Sequence, residues 1–134
     1  MEEKKKEQLG LLAQLVKLAN ADHEIKEIEF QFIMSIAAQM GVTPEEFRSI
    51  FDTYAEHTPP KLEGDRIVQF HRLVLLMNVD AEITQEELTK IRKMGMMMGL
   101  NAQAIETVLN EMHQYPNKVV PPDRLIEIFS LYHN

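Results

Sequence analysis

The chain contains one sequence pattern twice, 58 residues apart, and this duplication constrains its fold more than any other feature. The stretches Leu18–Glu29 (LANADHEIKEIE) and Leu76–Glu87 (LMNVDAEITQEE) share an Asn, an Asp two residues later, Glu-Ile, and a Glu seven residues after the Asp. Between Leu15 and Phe51, the shift gives 11 ungapped identities. Unrelated helical segments would share about two to four. The sequence therefore predicts an internal repeat, with copies over residues 9–57 and 66–112.

The spacing of apolar residues is helical through both copies. Apolar residues recur every three or four positions, as in Ile25, Ile28, Phe32 and Ile33. Each copy also carries signals that end one helix and begin the next, which in the first copy are Gly41, Thr43, Pro44 and Glu46. The Pro-rich stretches 57–65 and 115–123 interrupt the pattern.

Together these signals predict a single all-α domain over residues 1–134. We expect about seven helices, arranged as two three-helix units related by a pseudo-twofold axis and followed by a C-terminal helix over 122–133.

Composition argues against several partners. The formal net charge is −7, and the only dense basic cluster, Lys4–Lys6, lies among acidic residues, so we expect no nucleic-acid binding. No apolar run approaches the roughly 18 residues that cross a bilayer, so we expect no direct membrane insertion. The N-terminal residues do not resemble a signal peptide, and we expect a cytoplasmic protein. The chain has no cysteine, which excludes thiolate chemistry.

The duplicated loops are dense in carboxylates, and carboxylate oxygens are the donors that hard divalent cations prefer. If the loops meet across a pseudo-twofold axis, their side chains would form one site for calcium, magnesium or manganese. The predicted ligands are Asp22, Glu24, Glu29, Asp80, Glu82 and Glu87. The pattern partly matches an EF-hand loop, but Leu18 and Leu76 stand at its first ligand position, and His23 and Ala81 replace its glycine. A standard EF-hand is therefore excluded.

A purely structural interpretation of the same residues stays open. Thr84 and Glu87 have the spacing of a capping box, Asp22 and Asp80 could hold turns, and Asn20 and Asn78 could end the preceding helices. Against this interpretation, the first copy has Lys26 where a capping box needs Ser or Thr, and yet Glu29 is retained.

The repeated Asp-x-Glu-Ile…Glu pattern, in an acidic and helical chain of this size, resembles the TerB-like family, which is named after bacterial tellurite resistance. The resemblance extends from about Leu9 to about Met112, although the family commonly has Gly where His23 and Ala81 stand. It implies an all-helical fold of two related halves without established enzymatic activity, associated with stress response or with larger complexes. It also implies metal binding through Asp22, Glu29, Asp80 and Glu87.

Other functions have weaker support. The sequence lacks the Gly-rich phosphate loops and nucleophile motifs of common enzymes, so we expect no enzymatic activity. His23 could join a transition-metal site, but the other histidines have no ligand spacing. The Met-rich stretch 94–99 suggests a face of Met94, Met97 and Met98 packed between the halves, with Met96 pointing elsewhere. The alternative to a cation site is a protein-interaction module whose acidic loops are structural or contact a basic partner.

Overall fold

The computed structural model describes residues 3–20, 25–52, 60–79 and 83–132. Within these ranges the chain forms α-helices and two short 3-10 turns, Met112–Gln114 and Pro116–Lys118, and no strand. The α-helices are α1 (Glu3–Ala19), α2 (Glu27–Gln39), α3 (Pro44–Asp52), α4 (Glu63–Asn78), α5 (Gln85–Met97), α6 (Ala102–Glu111) and α7 (Pro122–Leu131). The predicted all-α fold of about seven helices is confirmed.

The helix boundaries repeat with the same 58-residue shift as the sequence. Helices α2 and α5 both begin and end 58 residues apart, and α3 and α6 begin 58 residues apart. After α2 and α5 the chain turns through Gly41 and Gly99, whose φ angles of 72° and 80° lie in the left-handed region that glycine adopts without a steric cost. The same kind of turn, through a glycine with a positive φ, therefore separates the second and third helices of both copies.

Helices α1 and α4, the first helix of each copy, lie at the centre of the molecule. Residues 11 to 15 of α1 are buried in succession, which means that the middle of this helix is covered on all sides. It packs against α2, α3, α4 and α5, whereas α4 packs against α1, α2 and α5. Exchanging the two copies would turn the α1–α5 contact into the α4–α2 contact, which is the correspondence that a pseudo-twofold arrangement would produce. The α1–α3 contact, however, has no equally extensive α4–α6 counterpart among the described helices.

One prediction about the methionines is wrong. Met94 and Met98 are buried, as expected for a face that packs into the core, but Met97 is 70% exposed and Met96 is 59% exposed. Residues three and four positions apart on a helix lie on opposite sides of the starting residue, about 60° and 40° away. The core lies on the Met98 side of Met94, which leaves Met97 facing solvent.

Helix α7 packs on the rest of the molecule through Leu125, Ile128 and Phe129, which are all buried. The Phe129 ring meets the Phe70 ring of α4 edge-to-face, with the centroids 6.2 Å apart. Across the part of the chain that the structure describes, no helix is both long and apolar enough to cross a membrane.

Candidate cation-binding site

The two acidic loops connect α1 to α2 and α4 to α5, where the sequence predicts them. Four of the six predicted ligands, Asp22, Glu24, Asp80 and Glu82, lie outside the described residues. The other two, Glu29 and Glu87, are the third residues of α2 and α5. Leu18 and Leu76 are completely buried, which confirms that the first ligand position of an EF-hand is lost in both copies.

Glu29 and Glu87 are buried to nearly the same extent, at 2% and 4% exposed. Glu29 Oε1 accepts a hydrogen bond from the Lys26 backbone N–H at 3.1 Å. Glu87 Oε1 accepts one from the Thr84 backbone N–H at 2.9 Å, and the Thr84 hydroxyl lies 3.3 Å away. Each carboxylate therefore satisfies a backbone donor at the start of its helix, where the helix dipole also favours negative charge.

The two copies differ in the other half of the cap. The Glu87 backbone N–H donates to Thr84 Oγ1 at 3.1 Å, which completes the predicted capping box. In the first copy Lys26 has no acceptor atom in its side chain, so the half of the cap that forms is the bond from its backbone to Glu29. The expectation that Lys26 speaks against a capping role for Glu29 is therefore wrong, because half of a capping box still needs the glutamate.

The flanks of the two loops lie at the same end of the molecule. Phe32, in the second turn of α2, lines one pocket together with Leu75 and Val79 at the end of α4. The pocket has a volume of about 360 Å³. The pocket thus places the second turn of α2, which follows the first loop, beside the end of α4, which precedes the second; residues 117–119 complete its lining.

The repeated asparagines have different roles. Asn20 is exposed, immediately after the end of α1. Asn78 is only 9% exposed, and its Nδ2 donates to the Lys118 carbonyl at 3.0 Å. Its Oδ1 is buried without a hydrogen-bond partner in the described structure. The interpretation of both asparagines as helix terminators thus misses the long-range contact of Asn78, which no local sequence signal reveals.

The residues that the structure describes do not by themselves form a metal site. Within the described ranges, no cluster of three or more His, Cys, Asp or Glu side chains could hold a metal ion. His23 lies outside those ranges. Two of the six predicted donors are seen, and both are carboxylates, which suit a hard divalent cation. Both lie at the start of a helix, next to the loop that carries two of the other four predicted donors.

Comparisons with protein-family models, with curated proteins and with solved structures find no match to this chain.

Proposed function

We propose that the protein is a non-enzymatic helical binding module whose two acidic loops together bind one divalent cation. In this proposal Asp22, Glu29, Asp80 and Glu87 are the main ligands, and Glu24 and Glu82 support them. Because all six donors are carboxylates, the ion is a hard one: calcium, magnesium or manganese. The bound ion would connect the α1–α2 and α4–α5 junctions and thus the two copies of the repeat.

The observation that carries this proposal is the buried state of Glu29 and Glu87 at equivalent positions. A buried carboxylate is costly unless hydrogen bonds or a cation compensate for its desolvation. The pocket that Phe32 of α2 shares with Val79 after α4 supports the proximity that a common site needs.

The resemblance to the TerB-like family extends the proposal to a cellular role. We infer a cytoplasmic module that works in a stress response or within a larger complex, through a protein partner, and without binding nucleic acid. The excess of acidic residues, 21 against 14 basic ones, suits such a role better than a role on nucleic acid.

A second candidate is a protein-interaction module that binds no metal. It is favoured by the capping bonds of Glu29 and Glu87, because these bonds give both residues a structural reason to be glutamate. In this case the other acidic residues of the loops would hold turns or contact a basic partner, and the affinity for that partner would fall with added salt.

Isothermal titration calorimetry of the metal-stripped protein separates the two candidates. The cation proposal predicts saturable binding of calcium, magnesium or manganese, with one ion per chain because the two loops share it. The double variant Asp22→Asn/Asp80→Asn should lose that binding and keep its helical circular dichroism. The matched variant Asp65→Asn/Asp123→Asn makes the same change in charge at two exposed helix starts and should bind normally. Two independent ions per chain, or no binding, would contradict a shared site.

A further inference from the structure

The C-terminal arm, defined here as residues 115–131, attaches to the helical body through polar contacts with α4 and α6 as well as through its apolar face. On α4 the anchors are Asn78 and His71, which are seven residues apart and therefore lie on one side of the helix. Asn78 donates a hydrogen bond to the Lys118 carbonyl, and the backbone of Val120 lies close enough to His71 to raise the pKa of its side chain. The segment from Lys118 to Val120 thus runs antiparallel to α4.

The anchors on α6 converge on Glu111. Arg124 of α7 donates from Nε to Glu111 Oε2 at 2.6 Å, and from Nη2 to Oε1 at 2.7 Å, so the pair is bidentate. The Tyr115 hydroxyl donates to Glu111 Oε2 at 2.9 Å. One carboxylate therefore holds both the beginning of the arm and its helix.

The backbone of the arm has a conformation that opposes docking. Asn117 and Lys118 have φ angles of 57° and 58°, in the left-handed region that costs free energy for residues other than glycine. Asparagine tolerates this region better than lysine does. The Lys118 carbonyl is the group that Asn78 holds, so this anchor acts where the backbone is strained.

Two of the anchoring groups, His71 and Glu111, titrate in the acidic range. Burial lowers the pKa of His71 below its ordinary 6.5, and Arg72 on the same helix adds to this effect, although the Val120 backbone opposes it. The Nε2 atom of His71 is buried without a hydrogen-bond partner in the described part of the chain. Hydrogen bonds from Arg124 and Tyr115 lower the pKa of Glu111 below 4.5 against the opposing effect of burial.

The sign of the pH dependence is the same for both groups. If release of the arm returns the pKa of His71 to its ordinary value, His71 binds a proton more readily in the detached state than in the docked state. Docking then weakens as the pH falls below 6.5. Glu111 stabilises docking above pH 4.5 and loses this contribution as the pH falls through its lower docked pKa.

We propose that the C-terminal arm is an acid-sensitive latch, docked on α4 and α6 at neutral pH and released as one unit, ahead of the other helices, in mild acid. Release removes Phe129 from Phe70, a fully buried residue of α4, and so uncovers an apolar surface. The latch does not require a bound cation, because its titrating groups His71 and Glu111 lie outside both acidic loops; only the anchor Asn78 adjoins the second loop.

Hydrogen–deuterium exchange of the full chain at pH 7.5 and 5.5, corrected for the pH dependence of intrinsic exchange, tests the latch. We expect the protection of residues 119–131 to fall by up to about tenfold, because pH 5.5 lies one unit below the ordinary His71 pKa of 6.5, while α5 keeps its protection. Simultaneous loss in α5 would show global unfolding and contradict release as a unit. Unchanged protection of the arm would also overturn the proposal.

Two pairs of variants assign the effect to its residues. His71→Gln should make the protection of the arm independent of pH between 7.5 and 5.5, whereas His113→Gln, at an exposed histidine, should leave the pH response intact. Asn78→Ala should lower the protection of the arm at both pH values, about tenfold for the loss of a buried hydrogen bond. Asn20→Ala is the matched control in the first copy. If the arm of the His71→Gln variant loses as much protection in acid as the arm of the unmodified protein, the histidine is not the sensor.

Discussion

At Gly95, side chains of α4 and α6 approach the backbone of α5 closely. A Cβ atom at this position of α5 would lie 2.7 Å from Ile105 Cδ1 of α6 and 3.0 Å from Phe70 Cε1 of α4. Both neighbours are fully buried, so they have little room to move. Glycine in the middle of a helix costs propensity, and here the close packing of α4, α5 and α6 explains why it is kept.

Gly95→Ala should therefore destabilise the protein. Overpacking costs about 1–3 kcal/mol, which exceeds the gain in helix propensity of up to about 1 kcal/mol. Gly64→Ala is the matched control, because Gly64 lies on α4 with no atom within 4 Å of its Cβ position, and it should stabilise by about 0.5–1 kcal/mol. Urea unfolding monitored by circular dichroism measures both changes. A stabilising Gly95→Ala would contradict the described packing.

Helix boundaries are the elements that the sequence predicts best, since their signals are local. Thr43 and Glu46, two of the predicted helix-start signals, form a capping box with hydrogen bonds of 2.9 and 3.1 Å. Asn101, 58 residues after Thr43, caps α6 at the equivalent position. The contacts of Asn78 and His71 with the arm were not predictable in this way. They join residues about 40 or more positions apart, and nothing in the neighbouring sequence distinguishes Asn78 from Asn20.

The unequal caps of α2 and α5 give a prediction for these two helices. Thr84→Ala removes the acceptor of the Glu87 N–H and should cost about 0.5–2 kcal/mol. Lys26→Thr supplies the missing acceptor at the start of α2, where the backbone already has the extended conformation of an N-cap, and should stabilise by up to about 1 kcal/mol. Thermal and urea unfolding test both variants. A destabilising Lys26→Thr would show that the lysine side chain contributes more than a cap would.

For the whole molecule, the central α1–α4 pair makes the two copies dependent on each other. Each of these helices also packs on the second helix of the other copy, so the core is built from both. The proposed metal ligands can be predicted only in part. Their type and duplication follow from the sequence, but Glu29 and Glu87 also cap their helices, and sequence alone cannot separate that role from cation binding. A local sequence pattern determines neither which distant residues come into contact nor whether a ligand is bound.

Separated halves should therefore fold only together. Fragments 1–59 and 60–134, divided between α3 and α4, leave every described helix uncut. We expect each fragment alone to show little cooperative helical structure, because it exposes the faces that α1 and α4 bury against each other. Mixing them in equal amounts should restore the circular dichroism of the intact protein. A half that unfolds cooperatively by itself would contradict the shared core.

The central claim, a cation shared by the two duplicated loops, is tested most directly by an amide NMR titration of the metal-stripped protein with calcium and with magnesium. The account predicts saturable shifts that reach half-maximum at one concentration for both groups of signals, residues 22–29 and 80–87. A titration in which neither group shifts, or in which the two groups saturate independently, would contradict a shared site.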